Sequence, residues 1–204
     1  MLPNWLKNGF IALFQPAVGW FARLNIKPNW LTSAGFACGV LSGFLFATGH
    51  FFWGGLAALL SAICDAIDGS LARRSGSVTT FGRFYDSFLD RYSELAMFIG
   101  LSYFYAGRDT WRLVILTDLA LAGSLMVSYA RARAEGLRLD CKVGLMERPE
   151  RLTVVIAGTL LSAMFHQEWI FEVGLWLLAV LTNVTAVQRM LHVRRITRNG
   201  PPPA

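Results

Sequence analysis

The chain has 204 residues, of which 54% are hydrophobic and 16% are charged, and its formal net charge is +6 at pH 7. Charge this sparse, with apolar stretches along the whole length, argues against a soluble protein. The positive charge does not indicate nucleic-acid binding, because it is distributed as a membrane protein distributes it. Cys38, Cys64 and Cys141 are odd in number and scattered, so they predict neither a disulfide framework nor a zinc site.

The N-terminal segment, residues 1–30, contains an apolar stretch that is too short to span a bilayer. This stretch, residues 10–22, is interrupted by Pro16 and lacks the small-residue cleavage site of a signal peptide. Basic residues flank it on both sides. We therefore predict an amphipathic helix that lies in the membrane interface.

Six later segments are candidates for membrane-spanning helices, each of which needs about 20 apolar residues. Two of them, residues 51–64 and 152–165, reach that length only if the helix continues through its polar flank. We predict an all-α fold with six transmembrane helices in a membrane domain at residues 31–193. A disordered, basic and proline-rich tail is predicted at residues 194–204. The four longer apolar segments are residues 31–49, 84–106, 111–130 and 169–188.

The connections between these helices fall alternately on two sides of the membrane. Arg108 and Arg112 lie on one side, and 16 Lys and Arg residues lie on the other. Cytoplasmic loops are enriched in Lys and Arg, so the basic side and both termini are predicted to face the cytoplasm. The 16 residues are Lys7, Arg23, Lys27, Arg73, Arg74, Arg83, Arg131, Arg133, Arg138, Lys142, Arg148, Arg151, Arg189, Arg194, Arg195 and Arg198.

Three glycines in the first predicted span, Gly35, Gly39 and Gly43, recur at every fourth position. This spacing places them along one helix face, where a neighbouring helix can approach closely. The pattern predicts helix packing and carries no chemistry of its own.

The stretch from residue 64 to residue 94 contains four aspartates in two pairs. Asp65 and Asp68 are three residues apart, Asp86 and Asp90 are four apart, and each pair shares a helix face. Asp65 and Asp90 lie at similar depths, each about eight residues, or roughly 12 Å, from the loop that joins the two helices. Two antiparallel neighbouring helices are therefore expected to bring the four carboxylates together.

Carboxylates within a membrane span are costly and mark functional sites by default. Four negative charges do not coexist in a low-dielectric site without cations. Ligand sets made only of oxygen suit hard divalent ions such as Mg²⁺ or Mn²⁺. We therefore predict a metal site, since the acids outnumber the basic partners that buried Asp–Arg ion pairs would need at that depth.

Small residues and one arginine accompany the aspartates. Gly69, Ala72 and Gly82 remove side-chain bulk, so that the phosphates or ring of a ligand can come close. Arg73 places a guanidinium beside the predicted metal site, where it can bind phosphate oxygens.

These residues match a pattern that reads D-x-x-D-G-x-x-A-R, a spacer of eight, then G-x-x-x-D-x-x-x-D. In this pattern the chain resembles the CDP-alcohol phosphotransferase family, and all eight fixed positions are occupied. They are Asp65, Asp68, Gly69, Ala72, Arg73, Gly82, Asp86 and Asp90.

The resemblance implies a CDP-lipid donor such as CDP-diacylglycerol, CMP as the leaving group, and a homodimer. Asp65, Asp68 and Asp86 would hold a pair of divalent metals. Asp90 would bridge the metals or act as general base on the acceptor hydroxyl, and the residues alone do not decide between these roles. The residues that would contact the cytidine diphosphate are Asp68, Gly69, Ala72, Arg73 and Gly82.

The acceptor alcohol is indicated by residues 128–136 (SYARARAEG) and 144–152 (GLMERPERL). These resemble the branch that uses inositol phosphate and makes phosphatidylinositol phosphate or its archaeal ether-lipid analogue. In that branch, basic residues at the positions of Arg131, Arg151 and Arg189 bind the acceptor phosphate. The branch often has Lys where Arg131 stands, so a related phosphorylated polyol stays open. Each arginine alternatively serves only to set orientation and contact lipid headgroups.

Other functions remain as alternatives. The glycerol-phosphate branch, that of phosphatidylglycerophosphate synthase, usually reads D-P-x-A-D-K, where this chain has DSFLDR at residues 86–91. A phosphatidylserine synthase would need no phosphate pocket. A cation-coupled transporter would show discontinuous helices or two related halves, and neither is visible. A lipid- or metal-binding protein that keeps the pattern without turnover is a further alternative, which nothing in the sequence suggests because all four acids are intact.

Overall fold

A computed structural model describes residues 15–24 and 26–198 of the chain. Over these residues the regular structure is α-helical, in seven helices. This confirms the all-α prediction for the described part of the chain. The contacts divide the chain into two compact units, of which the first ends at Phe104 and the second begins at Tyr105.

The first unit is built from four helices. α1 packs on α3 through Val18, which is buried against Ile67 and Leu71. α2 and α3 pack side by side, and the Ser42 hydroxyl on α2 donates to the carbonyl of Gly54 on α3 at 2.8 Å. The four helices are α1 (Gln15–Arg23), α2 (Pro28–Ala47), α3 (Phe51–Arg74) and α4 (Thr80–Ala106).

The second unit contains α5 (Trp111–Gly136), α6 (Arg148–Phe165) and α7 (Glu168–Arg198). α5 and α7 pack closely, and the Asn183 side chain on α7 donates to the carbonyl of Leu119 on α5 at 3.0 Å. The α5–α6 loop, residues 137–147, contacts α7.

Prolines mark where two of the helices begin. Pro28 and Pro149 lie in the first turns of α2 and α6, where a missing backbone N–H costs no helical hydrogen bond. His166 ends α6 in the left-handed conformation, with φ of 53°. The reversal into α7 at Glu168 is therefore only two residues long.

Four helices of the described chain, α2, α3, α5 and α7, are long and apolar enough to cross a membrane. The predicted span at 84–106 differs, because Asp86, Asp90, Arg91 and Glu94 interrupt the apolar part of α4. α6 has 18 residues, and its first turn is charged. The described chain thus has four candidate membrane-spanning helices, as expected of a membrane protein.

The predicted glycine face does lie against neighbouring helices. A Cβ atom on Gly39 would lie 2.6 Å from the Cβ of Ser93, and one on Gly43 would lie too close to the carbonyl oxygen of Ala96. Gly100 approaches the backbone of Gly43 in the same way. Glycine at these positions is thus what lets α2 and α4 touch backbone to backbone.

The ends of the chain differ from the predicted boundaries. Residues 194–198 continue α7 as helix, with Arg195 and Arg198 in its last turn, where cations favour the helix dipole. The rest of the predicted tail, residues 199–204, and residues 10–14 of the predicted interfacial helix lie outside the described residues.

Candidate active site

Three of the predicted metal ligands converge in the first unit. Asp65 and Asp68 extend from α3 and Asp86 extends from α4, each offering a carboxylate oxygen within 4.8 Å of the others. Asp68 is only 5% exposed, and the other two are partly buried. The helical spacing of the first pair and the antiparallel course of the two helices produce this arrangement.

Asp90 lies one helical turn beyond Asp86 on α4 and is 8% exposed. Among the described residues it is not a member of the group that the other three carboxylates form. Its position, buried beside the group and on the same face as Asp86, suits a proton acceptor at least as well as a metal ligand.

The carboxylate group fits a divalent ion. All three ligands are oxygens, they come from two helices, and like charges this close repel one another strongly unless a cation joins them. Oxygen-only sets suit Mg²⁺ and Mn²⁺ rather than zinc, which favours Cys and His.

A cavity opens beside this group, between the first turns of α2 and α4 and the last turns of α3. Gly69, Ala72 and Gly82, which the sequence pattern singled out, all line it together with Asp68 and Asp86. Its other lining residues are Pro28, Asn29, Thr32, Ser77, Val78, Thr79 and Arg83.

Arg73 lies close to this cavity on the last turn of α3. Its guanidinium donates to the Ser70 hydroxyl at 3.2 Å. A Cβ atom on Gly69 would come within 3.4 Å of the same guanidinium. The guanidinium therefore lies beside Gly69, a residue that lines the cavity.

The contribution of α2 was missed by the sequence analysis. Thr32 donates from its hydroxyl to Asp68 Oδ2 at 2.6 Å, and both residues are buried. Asn29, one turn earlier, lines the cavity and approaches Gly82. Polar residues three apart at the start of an otherwise apolar helix are the signal that could have revealed this face.

Arg189 lies in the second unit and is 2% exposed. Its Nε donates to the carbonyl of Val143 at 2.9 Å, and its Nη1 donates to the carbonyl of Val127 at 2.7 Å. Its Nη2 lies 3.7 Å from a carboxylate oxygen of Glu147. The side chain therefore connects α7 to α5 and to the α5–α6 loop.

The other two candidate phosphate ligands, Arg151 and Arg131, lie around the same glutamate. Arg151 is 1% exposed and donates from Nη1 to the carbonyl of Met146 at 3.3 Å. Arg131 is more exposed, binds Glu135 at 2.9 Å and lies 3.9 Å from Glu147. We call Arg131, Arg151 and Arg189, with Glu147, the arginine cluster. The sequence analysis did not anticipate the Glu147 carboxylate, which lies near Arg131 and Arg189.

The fold and site together define a helical membrane protein with an acidic metal site beside a ligand cavity. Residues 25–186 match the family model of CDP-alcohol phosphatidyltransferase. The chain therefore belongs to the CDP-alcohol phosphatidyltransferase family, as the eight-position pattern predicted. It is a metal-dependent transferase of phospholipid biosynthesis that uses a CDP-lipid donor.

Two curated relatives illustrate the resemblance along the chain. Phosphatidylinositol phosphate synthase of Mycobacteroides abscessus is 40% identical over 190 residues, which cover 92% of this chain and 86% of the relative. Archaetidylinositol phosphate synthase of Methanothermobacter thermautotrophicus is 38% identical over 195 residues, covering 92% of this chain and 96% of the relative.

Solved structures agree with the sequence relatives. The crystal structure of Mycobacterium tuberculosis phosphatidylinositol phosphate synthase with CDP-DAG bound has a TM-score of 0.79 and 36% identity, covering 86% of this chain and 90% of that chain. The same enzyme in complex with manganese and citrate has a TM-score of 0.77, also with 36% identity and with coverage of 86% on both sides.

Proposed function

We propose that this protein transfers the phosphatidyl-type group of a CDP-linked lipid to a hydroxyl of inositol 1-phosphate and releases CMP. The carboxylate group of Asp65, Asp68 and Asp86, open to a cavity lined by Gly69 and Gly82, is the observation that carries the reaction class. The acceptor is inferred from relatives that make phosphatidylinositol phosphate and archaetidylinositol phosphate.

The donor binds, in this proposal, in the first unit. Gly69, Ala72 and Gly82 leave space for the cytidine diphosphate, and Arg73 binds its phosphate oxygens. Asp65, Asp68 and Asp86 hold the divalent metals. When bound, a metal pair neutralises the diphosphate and stabilises the leaving CMP.

The acceptor hydroxyl attacks the phosphorus that carries the lipid, and the bond from that phosphorus to the CMP oxygen breaks. Asp90 accepts the proton that the hydroxyl loses. Asp86 keeps the donor phosphate in position for this displacement. Arg131, Arg151 and Arg189 bind the phosphate of the acceptor and so favour phosphorylated alcohols over free ones.

The decisive experiment uses the purified protein in detergent with CDP-diacylglycerol, Mg²⁺ or Mn²⁺, and a panel of acceptors. CMP release is expected with inositol 1-phosphate and not with glycerol 3-phosphate, serine or free inositol. The variant Asp86→Ala is expected to abolish that release. Release with glycerol 3-phosphate or serine alone would keep the transferase and reject this acceptor.

If no acceptor supports CMP release from CDP-diacylglycerol, the panel is repeated with a second lipid donor. An ether-linked CDP-lipid replaces CDP-diacylglycerol in the same panel. Both lipids present mainly methylenes to an apolar site, so the apolar lining alone does not indicate which one is the donor. Absence of CMP release with both donors would overturn the proposed reaction.

The role of Asp90 needs its own variant. In Asp90→Asn the proton acceptor is lost while the shape of the side chain is kept. Turnover is expected to vanish while CDP-lipid binding persists. Loss of binding as well would assign Asp90 to the metals instead.

We further propose six membrane crossings with the active site and both termini on the cytoplasmic side of the cell membrane, and a homodimer. The 27 residues of α4 and the 18 residues of α6 are long enough for the two additional crossings.

In a cysteine-free background, Lys142→Cys should react with an impermeant maleimide only in inverted vesicles, and Arg108→Cys only in intact cells. The reverse pattern would reject the orientation, and a monomeric mass by light scattering would reject the dimer.

A further inference from the structure

Two neighbouring hydroxyls on α2 connect this helix to the two helices that carry the carboxylate group. Thr32 donates to Asp68 on α3 at 2.6 Å, and the Ser33 hydroxyl lies 2.9 Å from the Tyr85 hydroxyl on α4. Only the first of these bonds ends on a carboxylate of the group. Removing each hydroxyl in turn can therefore separate an effect on a metal ligand from an effect on the packing between helices.

The bond between Thr32 and Asp68 has the features of a strong, fixed contact. Its length of 2.6 Å lies in the range of hydroxyl-to-carboxylate bonds, which are shorter and stronger than neutral ones. Thr32 is 4% exposed, so water does not compete readily for either partner. The carbonyl of Pro28, at 3.2 Å, is a second and longer acceptor for the same hydroxyl.

The choice of threonine limits how the hydroxyl can move. A β-branched side chain on a helix has few χ1 rotamers, and threonine keeps those in which Oγ1 reaches the carbonyl one turn back. In Thr32 this rotamer also points Oγ1 at Asp68 Oδ2. The hydroxyl is therefore held in an orientation from which it donates its hydrogen bond to the carboxylate.

From this geometry we propose that Thr32 is a positioning residue for the divalent-metal site. It fixes the orientation of the Asp68 carboxylate, so that Asp68 meets Asp65 and Asp86 in one ligand arrangement rather than rotating between several. Partners of metal ligands that lie outside the coordination sphere generally change metal affinity by roughly 10–100-fold. The inference rests on the proposed function only in that the group binds a divalent metal.

Mn²⁺ binding to the purified protein tests the inference without turnover. Electron paramagnetic resonance follows free Mn²⁺ during titration, in the absence of any lipid. Thr32→Val keeps the side-chain shape and removes the hydroxyl, and we expect its Kd for Mn²⁺ to rise at least about tenfold. Thr32→Ser keeps the hydroxyl and should restore affinity to within about threefold of the unchanged protein.

Ser33→Ala is the matched control, since it removes the neighbouring hydroxyl bond between α2 and α4 without touching a carboxylate. We expect its Mn²⁺ affinity to be unchanged. Equal weakening in Ser33→Ala and Thr32→Val would mean that helix packing alone is responsible, and would overturn the inference. Unchanged Mn²⁺ affinity in a folded Thr32→Val protein would also overturn it.

Failure of the proposed function gives a different pattern. If no acceptor supports CMP release but Thr32→Val still weakens Mn²⁺ binding, the positioning role stands and the reaction is wrong. If the reaction is correct, Thr32→Val should also need about tenfold more Mn²⁺ for half-maximal CMP release. A lower maximal rate with the same Mn²⁺ requirement would contradict the inference.

Discussion

The carboxylate group of the first unit and the arginine cluster of the second solve the problem of buried charge in opposite ways. Asp65, Asp68 and Asp86 each place a carboxylate oxygen within 4.8 Å of the others, an arrangement that a bound divalent cation would stabilise. In the arginine cluster, Arg189 donates to two backbone carbonyls and lies near Glu147. Its charge is compensated by the protein itself.

This difference indicates how each region responds to its ligand. Where three carboxylates would share a divalent cation, metal binding and the arrangement of the protein are coupled. A cluster that already has carbonyl and carboxylate partners is arranged before its ligand arrives. If the cluster binds the acceptor phosphate as proposed, the anionic acceptor competes with Glu147 for Arg131 and Arg189.

The largest expected effect is the loss of a metal ligand. Asp65→Ala should lower the rate of CMP release about a thousandfold, since a bound metal supplies several kcal/mol of transition-state stabilisation. Glu168→Ala, which removes only an exposed ion pair with Arg108, should retain activity. A comparable loss of CMP release in both variants would mean that an exposed carboxylate of the second unit is as important as the carboxylate group, and would contradict the contrast between the two regions.

The next effect concerns the packing that supports the carboxylate group. Gly43→Ala places a Cβ against the carbonyl of Ala96 on α4, and overpacking of this kind costs about 1–3 kcal/mol. The melting temperature should fall by several degrees and CMP release should fall with it. Gly136→Ala is the control, because nothing lies within 4 Å of its added Cβ. Equal melting temperatures for both variants would reject the close approach of α2 and α4.

Variants of Arg189 and Arg131 separate the structural role of the arginine cluster from its proposed role in binding the acceptor phosphate. Arg189→Lys cannot reproduce both bonds to Val143 and Val127, and a hydrogen bond that involves a charged group contributes about 1.5–3 kcal/mol. We expect a lower melting temperature together with a higher acceptor KM. Arg131→Ala, at a more exposed position, should raise the acceptor KM without lowering the melting temperature. The CDP-lipid KM should stay unchanged in both, and an unchanged acceptor KM would remove these arginines from the acceptor site.

The smallest expected effect tests the compensation by Glu147. Glu147→Gln keeps the shape and removes the charge near Arg131 and Arg189. The acceptor KM should fall by about two- to fivefold, the scale of an ion pair worth up to about 1 kcal/mol. A higher KM would mean that Glu147 holds the arginines in place rather than competing with the acceptor.

Several features of the protein were predictable because they depend on patterns within one helix. Apolar length predicted the helices, although the charges on α4 and α6 left only four that span by composition. The spacing of three between Asp65 and Asp68 predicted a shared face, and the glycine repeat predicted close packing. The eight-position pattern led to the correct family, since its residues lie on two helices joined by one short loop.

What the sequence by itself determined is therefore the membrane class and the pairing of the acidic residues, which follow from composition and local spacing, and the reaction class, which followed from the resemblance to the family. Only the tertiary structure decided which residues support them. Thr32 meets Asp68 across 36 positions of the chain, and Arg189 reaches Val127 across 62. The physical reason is that helical periodicity orders residues along one helix. The choice of partner across two helices depends on how their surfaces pack.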